Sequence, residues 1–119
     1  MAANPLPSTR ELHLSTEQKS EETIVHASGR ITSATSDLLQ STIRGLIPGA
    51  KRIVLDMAEV HYVDSSGIGA LVSVYLSASR AQCDMELRNA QPRIRDLFDL
   101  SRLTAVFENR GGYRGLPPD

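Results

Sequence analysis

One junction constrains this chain more than any other. The apolar run Arg52-Ile53-Val54-Leu55-Asp56-Met57 is soon followed by Asp64-Ser65-Ser66-Gly67, after which apolar residues resume at helical spacing through Leu76. A strand that feeds a polar turn opening a helix exposes the first amides of that helix. Those amides lack intrahelical acceptors and carry the positive end of the dipole, so they suit a side-chain cap or an anion. On the residues alone, Asp64 or Ser65 caps the helix, and Ser66 is either an ordinary first-turn residue or a functional hydroxyl.

The remaining chain reads as scaffold for this turn. Residues 1–9 hold two prolines and few apolar side chains, and are expected to be a flexible N-terminus. Leu12 and Leu14 alternate with polar neighbours as in a half-buried strand. Thr23 to His26 predicts a second strand, hairpin-paired with the first and ended by Gly29. Ile31 to Ile47 places Ala34, Leu38, Leu39, Ile43, Leu46 and Ile47 on one helical stripe, with Ser33 or Ser36 as cap and Pro48-Gly49 as stop.

Lys51 to Met57 is apolar enough for a central strand covered on both faces. The next helix, Ser65 to Ala81, turns Ile68, Leu71, Val72, Tyr75 and Leu76 inward, and Gly67 and Gly69 allow it to approach the sheet closely. Asp84 to Arg88 predicts a fourth strand, Pro92 opens a helix with Ile94, Leu97, Phe98 and Leu100 inward, and Ala105 to Phe107 predicts a fifth strand. The tail, 109–119, is rich in glycine and proline and is expected to be irregular. Alternating strands and helices argue for a mostly parallel sheet with helices packed on it.

Composition limits the function classes. With 119 residues there is room for one domain and one sizeable core. Thirteen basic residues, scattered along the chain, face fourteen acidic ones, so the clustered positive face that nucleic acid requires is lacking. The apolar stretch Ile68 to Leu76 contains Ser73 and is too short to span a membrane. The first ten residues lack the apolar core of a signal peptide. Cys83 is the only cysteine and suits a reducing compartment. A cytoplasmic protein without metal or cofactor is expected.

Catalysis finds little support. A nucleophile elbow needs glycine two residues before and two after the serine, and Val63 and Asp64 occupy the earlier positions for Ser65 and Ser66. Of the histidines, His13 and His26 fall in the strand pair and His61 in the loop before the turn. None has zinc-ligand spacing with Cys83. Gly67-Ile68-Gly69 completes neither nucleotide fingerprint. Tyr62 and Tyr75 read as packing residues.

The segment Leu55-Asp56-Met57-Ala58-Glu59-Val60-His61-Tyr62-Val63-Asp64-Ser65-Ser66-Gly67-Ile68-Gly69 resembles the phosphorylation segment of the STAS domain, as found in bacterial anti-sigma factor antagonists. Downstream, Pro92-Arg93-Ile94-Arg95-Asp96-Leu97-Phe98-Asp99-Leu100-Ser101-Arg102-Leu103 is similar to that family's third-helix segment. The resemblance covers roughly residues 10–108.

It implies a single α/β domain, a mixed five-stranded sheet with helices packed against it. It also implies an antagonist that binds an anti-sigma factor, itself a serine kinase, and so frees a sigma factor. The kinase phosphorylates the antagonist and a serine phosphatase reverses this. By position, the phosphoacceptor falls on Ser66, and Asp64, Ser65, Ser66, Gly67, Ile68 and Thr32 are implied partner contacts. At Gly29-Arg30-Ile31-Thr32 the chain departs from the Gly-Glu-(apolar)-Asp of members that engage the kinase, with Arg30 for the acidic residue and Thr32 for the aspartate. That departure keeps a second reading beside the phosphorylation switch, a STAS scaffold or ligand-sensing module in a larger signalling or transport complex; a small hydrolase using Ser65 or Ser66 is a separate third reading.

Overall fold

In a computed structural model the chain is described over residues 11–100, together with the backbone of two short strands, Asn4–Pro5 and Tyr113–Gly115. In chain order the elements are β1 (Asn4–Pro5), β2 (Leu12–Lys19), β3 (Glu22–Ile31), α1 (Ser36–Leu46), a 3-10 turn at Ile47–Gly49, β4 (Arg52–Val63), α2 (Ser65–Arg80), β5 (Asp84–Ala90), α3 (Pro92–Leu100) and β6 (Tyr113–Gly115). The strands lie in one mixed sheet in the order β1-β2-β3-β4-β5-β6. The pairs β1/β2 and β2/β3 are antiparallel, and the pairs from β3 to β6 are parallel.

The sheet differs from the five strands expected. Four long strands, β2 to β5, carry the core, and two pairings of two and three residues extend its edges. The expected fifth strand, Ala105 to Phe107, lies outside the described residues. One short pairing, Tyr113–Gly115 on β5, falls inside the tail expected to be irregular, and the other, Asn4–Pro5 on β2, inside the N-terminus expected to be flexible.

Strand alternation sorts side chains onto two faces. Leu12, Leu14, Val25, Ala27, Ile53, Leu55, Met57, Met85 and Leu87 join one buried cluster with Leu39 and Ile43 of α1, Leu71, Val74 and Tyr75 of α2, and Ile94 and Phe98 of α3. The opposite face carries Ile24 and Val54, both buried, among charged rungs: Glu22 beside Arg52 and Asp84, and His26 beside Asp56 and Arg88. Glu86, between Met85 and Leu87, is fully buried there. Arg52 hydrogen-bonds its Oε1, Arg88 Nε its Oε2 at 2.8 Å, and both guanidiniums also approach Glu22.

Several local readings are corrected. β4 runs on to Val63, beyond the expected end at Met57, because Val60 and Val63 are buried at three-residue steps and pairing with β3 resumes past two register shifts. His61 therefore belongs to a strand, not a loop. β3 passes through Gly29 to end at Ile31. Gly29 takes φ +122°, and a Cβ there would lie 2.1 Å from the Glu11 carbonyl oxygen.

α1 begins only at Ser36, and Ala34, expected on its buried stripe, is exposed in the preceding turn. Its cap is Thr35, neither Ser33 nor Ser36. The Thr35 hydroxyl accepts from the Thr32 amide (2.9 Å) and donates to the Arg30 carbonyl (2.9 Å). Leu76 (42% exposed) and Leu100 (83%), both expected inward, face out.

Candidate functional site

The turn between β4 and α2 is fixed from three directions. Asp64 is the N-cap of α2, and its Oδ1 accepts from the Gly67 amide at 2.8 Å. Its own amide donates to the Ile31 carbonyl at the end of β3 (3.2 Å), and its carbonyl accepts from Ile68 (2.9 Å). Gly67 packs on that same Ile31 carbonyl so closely that a Cβ would stand 2.1 Å from the oxygen. No side chain fits there, so glycine is required by the approach of helix to strand. Gly69, expected to share this role, has nothing within 4 Å of a Cβ.

Ser65 and Ser66 are the first two residues of α2, and both are exposed. The capping carboxylate takes one first-turn amide, and the dipole of a sixteen-residue helix favours negative charge at this end. The turn before α1 abuts the site: Ser36 Oγ donates to the Thr32 carbonyl at 2.6 Å and reaches the Ser66 carbonyl at 3.5 Å.

Not every expected contact residue reaches the surface. Ser65 and Ser66 do, and Asp64 is half-buried. Gly67 is buried under the turn. Ile68 (8% exposed) and Thr32 (8%) are turned inward, which removes their side chains from a docking surface in this conformation. Thr32 instead builds the turn, its Oγ1 accepting from the Ala34 amide at 3.2 Å. Tyr62, expected to pack, is 46% exposed and lies beneath Arg30, whose guanidinium carbon stands 4.6 Å from the ring centroid. Sequence reasoning missed this pair, because the step from Val60 to Val63 breaks the period-two pattern that would have placed Tyr62.

Among the described residues no histidine hydrogen-bonds Ser65 or Ser66. His26 is engaged elsewhere, its Nε2 2.9 Å from Glu17 and its Nδ1 3.1 Å from Asp56, and its hydrogen bond holds the Glu17 carboxyl below the ordinary range. Cys83 is buried and its thiol is pushed up by that burial, which keeps it protonated and unreactive. It lines a cavity of about 210 Å³ with Tyr75, Ser79 and Gln82. That cavity sits toward the far end of α2, roughly 20 Å from Ser66 at the helical rise per residue. Among the described residues no helix is long and apolar enough to cross a membrane.

The STAS domain family model matches residues 13–112, most of the chain. The chain belongs to the STAS domain family. Among curated STAS relatives, BtrV of Bordetella bronchiseptica, by name a candidate anti-sigma factor antagonist, is 25% identical over 80 residues, spanning 66% of this chain and 69% of that one. The anti-sigma-B factor antagonist of Listeria monocytogenes is 32% identical over 54 residues, 45% of this chain, and the match spans only about half (47%) of that protein.

Solved structures share the fold. An anti-sigma factor antagonist from Mycobacterium paratuberculosis superposes with a TM-score of 0.73 at 18% identity, covering 94% of this chain and 92% of that one. The Bacillus cell fate determinant SpoIIAA in its phosphorylated form gives 0.64 at 19%, covering 87% and 91%. As a STAS domain the chain has the expected mixed sheet and helices, and the β4–α2 turn is its candidate site.

Proposed function

We propose that this STAS domain is a cytoplasmic anti-sigma factor antagonist that binds an anti-sigma factor with serine kinase activity and is switched off by phosphorylation of Ser66. A serine phosphatase restores it, and the cycle regulates sigma-dependent transcription. The observation that supports this best is the exposed Ser66 hydroxyl on a turn that Asp64 and Gly67 lock to the sheet. A kinase can reach such a hydroxyl, and the charge it gains need not disturb the fold.

The energetics fit a switch by charge. Phosphoserine adds about −1.5 to −2 charges at pH 7. The helix N-terminus tolerates that charge, whereas a partner surface pressed on the same edge must desolvate a dianion. A loss of ~3 kcal/mol there weakens binding more than a hundredfold. Half-buried Asp64 adds like charge at the same edge.

The test is incubation of the protein with the cognate anti-sigma kinase and ATP. A single phosphate mass on Ser66, absent in Ser66→Ala, is expected, and Ser66→Asp should keep the fold and lose partner binding. Partner binding undiminished in Ser66→Asp would refute the switch. It would favour the scaffold reading, for which Arg30 and Thr32, in place of the acidic residues of kinase-engaging members, already speak.

A further inference from the structure

Arg30 and Tyr62 face each other across the β3–β4 ladder, one rung before the Ile31–Val63 pair that anchors the Ser66 turn. Both are about half exposed, 54% for the Arg30 side chain and 46% for Tyr62. Tyr62 is one of three large apolar side chains exposed among the described residues. The guanidinium rests on the ring at 4.6 Å, and its nearest carboxylate, Glu11, stands at 4.0 Å from Nε, too far for a hydrogen bond. Stacking uses the flat face of the guanidinium and leaves its N–H edge free for a planar, bidentate acceptor.

The main chain of Arg30 is also held in place. The Arg30 amide donates to the Glu11 carbonyl (2.9 Å) and the Arg30 carbonyl accepts from Thr35 Oγ1 (2.9 Å). An arginine stacked on a tyrosine ring has less freedom left to lose on binding than an unstacked one, and these are residue types enriched among dominant interface contacts.

We infer that Arg30, laid on the ring of Tyr62 beside the Ser66 turn, is the partner-selecting contact of this protein and takes a carboxylate on the anti-sigma factor. The inference rests on the antagonist reading above. Tyr62 and Ser66 are four residues apart, so their Cα atoms lie no more than about 14 Å from each other. An interface of ordinary size, about 800 Å² on each partner, is roughly 30 Å across and covers both. The arginine then sets which kinase docks, and Ser66 sets whether it docks.

The probe is the anti-sigma serine kinase, purified and titrated by calorimetry against the parent protein, Arg30→Ala, Arg30→Lys, Arg30→Glu, Tyr62→Leu and Ser66→Asp at low and high salt. Arg30→Ala should weaken Kd about tenfold to a hundredfold and Arg30→Glu further, with a shallower salt dependence. Arg30→Lys and Tyr62→Leu should fall between, and reversal of one acidic kinase residue to lysine should restore Arg30→Glu. Arg30→Glu binding within about twofold of the parent, while Ser66→Asp has lost binding, would overturn the inference and leave the antagonist reading standing. Weakening by Arg30→Glu that no acidic position on the kinase rescues would overturn the carboxylate assignment. Failure of every anti-sigma kinase to bind the parent protein would remove both.

Discussion

Replacing Gly67 by alanine, with Gly69→Ala alongside it, tests the seating of α2 directly. A Cβ at Gly67 would meet Ile31 O at 2.1 Å, Ile31 C at 2.8 Å and Ile31 Cγ2 at 3.0 Å. The first two are backbone atoms of a strand residue paired with Val63 of β4, so no rotamer change relieves them and the helix start must lift away. Overpacking of this kind costs about 3 kcal/mol, and alanine recovers about 1 kcal/mol of helix propensity, leaving a net loss of about 2 kcal/mol. At Gly69 the space is open, and the same substitution should stabilise by up to about 1 kcal/mol. Urea unfolding followed by circular dichroism reads both, and in a domain of this size each kcal/mol moves Tm by about 4 °C. A Gly67→Ala protein as stable as Gly69→Ala would refute the claim that Gly67 is there for the Ile31 carbonyl.

Other expectations follow from the same contacts. Asp64→Ala removes the α2 cap and should lower stability by about 1 kcal/mol, with Asp64→Asn recovering most of it, measured by thermal melts. Leu71→Ala, at a fully buried position, should cost about 2 to 5 kcal/mol, whereas Leu76→Ala on the exposed side should cost under about 1 kcal/mol in the same urea titration. Glu86 is pushed up by burial, but the hydrogen bonds and charges of Arg88 and Arg52 outweigh that and hold it below the ordinary 4.5. A carboxyl lowered on folding stabilises fully above its unfolded pKa and loses that contribution as pH falls through the folded one. Unfolding free energy should therefore fall as the pH drops below 4.5. Glu86→Gln should flatten part of that fall and cost about 3 kcal/mol at pH 7.

The order of long strands and helices was readable because alternation in β2, a continuous apolar run in β4 and 3.6-residue spacing in α2 and α3 are strong local patterns. The Asp64–Gly67 turn was readable because cap chemistry and a glycine at a close approach leave a local signature. What escaped notice depends on pairing between distant segments. Ile31 looked like the start of a helix, yet its carbonyl is the seat of Gly67 and the acceptor for Asp64, facts fixed only when β3 meets β4. Ala34 matches the helical stripe by spacing alone, while the turn closed by Thr32 and Thr35 holds it outside α1. Glu86 lies on the face opposite Met85 and Leu87, and its ion pair with Arg52 forms only when β5 meets β4. The burial of Thr32 likewise comes from a turn that no short motif announces.

The strands lie across the sheet in the same sequence in which they occur along the chain. Among the described strands none must wedge between two that have already zipped together, and each newcomer finds its neighbour waiting at the growing margin. A chain synthesised from its N-terminus can thus lay its sheet plank by plank, with the hairpin as the first template. The β4–α2 junction is completed only when the third long plank docks, after the surface that receives it has formed.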